Sequence, residues 1–148
     1  MTILRVTRPT SQAKSYIFQI GDESWQILVK FVLDHCADFL PKEDHHKWFG
    51  SSVSVHIKKK DALRVADRLQ ELLDQGVVQS HQTEVRTKHP GRPCIFCKSS
   101  GIINKKRGKE CEPCHGEGIF RPVDFSEREV RALIEFIRNC SGFNIWPK

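Results

Sequence analysis

Four of the six cysteines in this 148-residue chain fall into two matching pairs, Cys94-x-x-Cys97 and Cys111-x-x-Cys114. A thiolate is a soft anionic ligand, and a tight turn carrying two of them aims both sulfurs at one point. Two such turns supply the four donors of a tetrahedral all-cysteine site, the usual shell of a structural Zn²⁺. The spacing predicts one Zn²⁺ per chain, with Cys94, Cys97, Cys111 and Cys114 as ligands. Four protein ligands leave no open position for water or substrate, so the expected site is structural and not catalytic. The competing chemistry is a thiol redox pair. A redox C-x-x-C opens a helix after a buried strand, and neither pair has that context. His115 follows the last ligand directly, a placement that disfavours it as a replacement ligand.

Pro93 and Pro113 stiffen the two turns, and Gly101, Gly116 and Gly118 lie just beyond the ligands, where the backbone needs freedom. Between the pairs, Ile102–Asn104 and Lys109–Glu110 are expected to form a short hairpin across Lys105–Gly108. The run Cys111-Glu-Pro-Cys114-His-Gly116-Glu-Gly118 fits a C-x-x-C-x-G-x-G repeat in full, and Cys94 to Gly101 fits it with Ser99 in place of the first glycine. On these residues the segment resembles the cysteine-rich zinc module of the J-domain co-chaperones. The resemblance covers residues 94–118 and two repeats, where the chaperone module has four. It implies a zinc-finger fold in which both pairs share one ion, and a history of protein-binding roles. His89-Pro90 is followed by Gly91 and not by the aspartate of the J-domain signature, so co-chaperone activity does not transfer. The flanks resemble small bacterial proteins that join an N-terminal strand–helix unit to a short C-terminal helix ending in Ser-Gly-Phe, here Ser141-Gly142-Phe143; that likeness carries no activity.

The net charge of +6 is unevenly spread. Residues 1–83 contribute +1 and residues 122–148 nothing, so the cysteine segment 84–121 carries +5. Its densest part is Lys105-Lys106-Arg107-Gly108-Lys109, a candidate surface for phosphates that Arg86, Lys88, Arg92 and Lys98 extend. Only Phe96 and Phe120 are available there to stack on bases, so nucleic-acid binding would be weakly sequence-selective and steeply salt-dependent. For a protein partner, the expected contact face is Ile95, Phe96, Ile119 and Phe120.

Hydrophobic and charged contents of 39% and 28% are those of a soluble globular chain. No apolar run approaches the ~18–20 residues of a membrane span, and the start has no apolar stretch suited to a secretory signal. The expectation is a cytoplasmic protein with no membrane association, where C-x-x-C pairs stay reduced and bind metal.

The flanking elements must position the cysteine segment. After a polar, mobile start, Tyr16, Phe18 and Ile20 alternate as a strand. Asp22 and Ser24 are candidate caps for a helix from Trp25 to Phe39, closed by Pro41. Val53, Val55 and Ile57 alternate with Ser52, Ser54 and His56 as a second strand. Asp61 is placed to cap a helix whose Ala62, Val65, Ala66, Leu69, Leu72 and Leu73 form a clean apolar stripe, with Gly76 to end it. Residues 79–93 show no periodicity and are expected to be a polar linker. Ser126 with Glu129 forms a capping box, with Phe125 and Val130 as a staple, for a last helix buried through Val130, Leu133, Ile134 and Ile137 and stopped by Gly142. Phe143, Ile145 and Trp146 are too apolar for a loose tail.

A single helix of this length does not hold itself together in water and must dock. The expected architecture is α+β: residues 1–85 and 122–148 form one body, and residues 86–121 are a four-cysteine zinc finger inserted into it. Cys36 and Cys140 are expected to behave as small hydrophobes, and His45-His46 to be solvated. Phosphate loops, nucleophile elbows and paired catalytic carboxylates are absent from the sequence, so no enzyme and no small-molecule substrate is expected. The leading expectation is a non-enzymatic zinc protein whose basic finger serves as an interaction module for a protein or a nucleic acid. The alternatives are a redox-sensing zinc switch, or a purely structural zinc with the function residing in the body.

Overall fold

The computed structural model describes residues 2–6, 17–40, 42–49, 55–139 and 142–146. The chain is α+β. In chain order its elements are β1 (Thr2–Val6), β2 (Ile17–Ile20), α1 (Asp22–His35), a short 3₁₀ turn (Lys42–Asp44), α2 (His45–Trp48), β3 (Val55–Lys58), α3 (Lys59–Asp74) and α4 (Val77–Lys88). Then follow β4 (Arg92–Pro93), β5 (Ile102–Asn104), β6 (Lys109–Glu110), β7 (Ile119–Phe120), α5 (Glu127–Arg138) and β8 (Gly142–Trp146). Among the described residues no helix is long and apolar enough to cross a membrane. The expectations for Tyr16, Pro41, Ser52, Val53, Ser54, Cys140 and Ser141 fall outside the described residues.

The larger sheet has the order β2-β1-β8-β3, with every pair antiparallel. Two features depart from expectation. The opening residues are not a mobile start: Thr2–Val6 is an inner strand, pairing with β2 on one side and β8 on the other. The apolar C-terminal piece is the other inner strand, and Gly142 begins it instead of stopping α5. Within β8 the alternation is visible. Phe143 and Ile145 are buried, while Asn144 turns the other way and its side chain meets His56 Nδ1 at 3.0 Å.

Helices cover the buried face. Trp25, Leu28, Val29 and Val32 of α1 join the expected stripe of α3 and Val130, Leu133, Ile134 and Ile137 of α5 in one core with Ile20, Ile57, Phe143 and Ile145 of the sheet. Trp25 is buried with its indole satisfied, since Nε1 donates to the Trp48 carbonyl at 2.9 Å. That contact explains why residues 45–48 are helical: His45-His46-Lys-Trp48 delivers a buried tryptophan, and His45 Nε2 lies 3.1 Å from the Leu40 carbonyl instead of in solvent. Cys36 is fully buried, and that burial pushes its thiol up to about 12. It packs as a hydrophobe, and the upward shift disfavours the nucleophilic thiolate.

The main correction concerns residues 79–93. Residues 77–88 form α4 where a linker is expected. Only Val78 and Val85 of this helix are buried, seven positions apart, so no i, i+3, i+4 stripe exists for the sequence to display. Gly76, in the left-handed region, both ends α3 and starts α4.

Caps are partly rearranged. α1 starts at Asp22 after Gly21, so Ser24 lies inside its first turn; there Oγ accepts the Asp124 N–H at 3.0 Å, tying α1 to the approach of α5. Lys58 occupies the N-cap position of α3 without a side-chain cap bond, with Asp61 in the first turn. For α5, Ser126 Oγ accepts the Glu129 N–H at 3.2 Å as the capping motif requires. Gln82 of α4 satisfies the next exposed donor, accepting the Glu127 N–H at 2.7 Å.

Removal of residues 123–148 deletes α5 and the inner strand between β1 and β3. The expected outcome is loss of the cooperative urea transition that the full chain should show; a truncated protein that unfolds cooperatively would contradict this placement of β8.

Candidate metal centre

The two C-x-x-C turns are brought face to face. The four Sγ atoms all lie within 4.8 Å of one another, and all four cysteines are buried. Cys94 Sγ is 3.7 Å from Cys111 Sγ, and Cys97 Sγ is 3.7 Å from Cys114 Sγ. With metal–sulfur bonds of ~2.3 Å, a regular tetrahedron has edges of about 3.8 Å. These separations therefore suit one tetrahedral ion, and they are far beyond the ~2.05 Å of a disulfide.

A repeat of 17 residues, the step from Cys94 to Cys111, accounts for the geometry. The backbone angles recur at that step: φ is 52° at Lys98 and 53° at His115, 64° at Ser99 and 77° at Gly116, and 76° at both Gly101 and Gly118. The hydrogen bonds are reciprocal. Cys94 N–H donates to the Gly118 carbonyl and Cys111 N–H to the Gly101 carbonyl, each at 2.9 Å. Each turn also aims a backbone N–H at its second sulfur, Gly101 N to Cys97 Sγ at 3.2 Å and Gly118 N to Cys114 Sγ at 3.3 Å. The pairing of β5 with β6 (Ile102 opposite Glu110) is repeated by β4 with β7 (Ile119 opposite Pro93). The module is thus two copies of one turn-and-strand unit, clasped head to head.

Glycine is required where the copies touch. A Cβ on Gly101 would sit 2.2 Å from the Gly116 carbonyl oxygen, and one on Gly118 would sit 2.5 Å from that of Ser99. These are the same contact in the two halves. Ser99 is the single departure: it holds a left-handed conformation that its counterpart, Gly116, adopts without cost.

The thiols differ in acidity. Burial opposes ionisation of Cys97, but the Gly101 N–H and the neighbouring thiols outweigh it and bring it down to about 7. Burial drives Cys111 the other way, up to about 12. A set held this close accommodates several negative charges only when a cation sits among them.

Of the other candidate residues, Phe120 packs against the cysteines, and the four cations stand apart from them. Lys105, Lys106 and Arg107 form the exposed turn between β5 and β6, and Lys109 lies just past it. Asn104 shapes this turn, its Oδ1 accepting the Lys106 and Arg107 N–H groups at 3.1 and 3.3 Å. Phe96 is 63% exposed in the first turn. Phe120 is half-buried against the cysteines, with the Arg92 guanidinium 5.3 Å from its ring centre.

Arg86 is not part of a free basic patch. It makes two 3.0 Å bonds to the Asp124 carboxylate and a 3.4 Å contact to Glu117, which in turn pairs with Arg121. This cluster fastens the second turn to α4 and to the approach of α5. Its members lie up to 38 residues apart and have no spacing signal. No protein-family model, curated protein or solved structure matches the chain.

Substituting Ser99→Gly should stabilise the metal-loaded protein by about 0.5–1 kcal/mol, the relief of left-handed strain being partly offset by glycine's larger unfolded-state entropy. Gly101→Ala should cost at least about 2 kcal/mol through its clash with the opposite turn. Denaturant midpoints check both; equal effects of the two changes would refute the two-fold clasp.

Proposed function

We propose that this protein is a non-enzymatic, zinc-dependent recognition module. Cys94, Cys97, Cys111 and Cys114 hold one Zn²⁺ that shapes a surface for a macromolecular partner. The observation that carries this reading is the buried set of four sulfurs at tetrahedral separations. The all-sulfur shell, the closed coordination and the two-knuckle repeat favour zinc in a structural role. Burial of every sulfur also favours a zinc that stays in place over one released by oxidant. The two-repeat relation supports the likeness to the cysteine-rich module of J-domain co-chaperones.

A protein partner is the first choice. Ile95, Phe96, Ile102, Ile103 and Ile119 are all exposed on the module, and they make up most of the large hydrophobic side chains exposed among the described residues. A concentration of large exposed apolar side chains on one module favours a contact role for it. Beside them stand four cations at one turn, so the fitting partner joins apolar anchors to acidic residues. The second reading, contact with a nucleic-acid backbone, is favoured by those cations: none of Lys105, Lys106, Arg107 and Lys109 has an ion-pair partner among the described residues. The supply of stacking groups weighs against it, because Phe120 is half-buried and only Phe96 is freely exposed.

Purification without added metal should yield one zinc per chain by elemental analysis and little co-purifying nucleic acid. Replacing Lys105, Lys106, Arg107 and Lys109 with glutamine, and separately Ile95 and Phe96 with serine, distinguishes the two readings. For a protein partner recovered by cross-linking in cells, the apolar pair should reduce capture about tenfold or more. A chain without stoichiometric zinc would overturn the proposal. Capture of nucleic acid that is lost in the glutamine variant would establish the second reading.

A further inference from the structure

The two turn-and-strand units of the cysteine module share one backbone but differ in their outer faces. The step of 17 residues sets Ile95-Phe96 against Glu112-Pro113, Lys98 against His115, Ser100 against Glu117, and Ile102-Ile103 against Ile119-Phe120. Past the strands it sets the basic turn Lys105–Lys109 against residues 122–126, which lead into α5 and bury Phe125 in the core.

The second unit is turned toward the helices. Glu117 reaches Arg86 of α4 at 3.4 Å, and Pro113, His115 and Glu117 line a small cleft with Ser24 of α1 and Arg128 and Glu129 of α5. The first unit has no such attachment among the described residues. The hydrogen bonds of residues 94–110 all stay inside the module.

Side chains on the unattached face are both apolar and basic. Four of the seven large hydrophobics exposed among the described residues are Ile95, Phe96, Ile102 and Ile103, with Ile95 at 78%. Their counterparts are the Glu112 carboxylate, the half-buried Pro113 and Phe120, and Ile119 at 39%. Charge has diverged as well. Residues 94–104 carry Lys98 alone, for +1, whereas residues 111–121 carry Glu112, Glu117 and Arg121, for −1. Lys98, Lys105, Lys106, Arg107 and Lys109 have no ion-pair partner among the described residues. The nearest acid in the chain, Glu110, leans on the second unit: a Cβ on Gly116 would sit 3.2 Å from its carboxyl carbon.

We propose that the outer face of the first unit is the docking surface of the module, and that its occupant is an acidic segment of another protein carrying bulky apolar side chains. Those side chains seat on Ile95, Phe96 and the β5 isoleucines, and the carboxylates meet Lys98 and the basic turn. The proposal rests on the reading of the module as a protein-recognition surface and narrows it to one half, because the matching half already faces the helices. A second copy of this chain fits poorly, since it would bring the same unopposed cations together. A nucleic-acid backbone would meet the cations but leave the isoleucines uncovered, with Phe96 the one freely exposed ring of the unit. A lipid surface requires the apolar side chains outermost, whereas this hairpin carries its cations at the tip and its isoleucines on the stem.

The test uses the full zinc-loaded chain and fluorescent peptides Ser-Asp-x-Glu-Asp-x-Glu-Ser with blocked ends, where x is Leu, Phe or Trp. Anisotropy should show saturable binding. It should weaken about tenfold or more when both x are serine, when the acids are lysine, in the Ile95→Ser/Phe96→Ser double variant, and in the glutamine variant of Lys105, Lys106, Arg107 and Lys109. Glu112→Ser, on the second unit, should bind as the parent does. Zinc is measured on the same samples. Full zinc with no saturable binding, or with equal binding when both x are serine, would overturn the proposal and leave the zinc reading standing. Binding lost in Glu112→Ser would overturn it by moving the site to the second unit. Saturable binding to phosphatidylserine vesicles that Ile95→Ser/Phe96→Ser abolishes would overturn it in favour of a membrane. A chain without zinc would overturn both the proposal and the reading beneath it.

Discussion

The cysteine module depends on one constraint: four buried sulfurs converge within 4.8 Å with almost nothing else beneath them. Its cluster of buried residues is the cysteines themselves, with Phe120 packed alongside. Its strands are two or three residues long, too short to stand alone. A segment of this kind cannot offset its conformational entropy by hydrophobic burial, and its four converging sulfurs are a site where the energy of binding one metal ion could take that place. The reciprocal hydrogen bonds and glycine contacts then follow as what lets two matching turns approach closely enough to share one ion.

The module is joined to the rest of the chain by specific polar contacts. Arg86 on α4 holds the Asp124 carboxylate through two hydrogen bonds and touches Glu117 in the second cysteine turn. Ser24 on α1 and Gln82 on α4 receive N–H groups at the start of the segment that becomes α5. The route out of the module is therefore fixed before α5 begins, and β8, the inner strand, follows α5 in the chain. This arrangement also places His115 of the second cysteine turn in the lining of a cleft between β2 and α5.

Local signals are legible in the sequence and distant ones are not. The two cysteine turns, the hairpin across Lys105–Gly108, the stripe of α3 and the Ser126 cap all depend on residues a few positions apart, where periodicity and spacing carry the information. β1 and β8 gain their strand character by pairing with each other across nearly the whole chain, which no window detects. Phe143 and Ile145 are recognisable as buried from their apolar character, but their neighbours in the sheet are not. α4 escapes because its two buried valines are too sparse to make a stripe. Arg86 reads as part of a basic patch because its partner Asp124 lies far along the chain.

X-ray absorption at the zinc edge, on protein purified without added metal, tests the central claim most directly. The account predicts one zinc per chain surrounded by four sulfur atoms at ~2.3 Å, with no nitrogen or oxygen in the shell. A shell containing light-atom ligands, or a protein that folds fully with no metal bound, would contradict it.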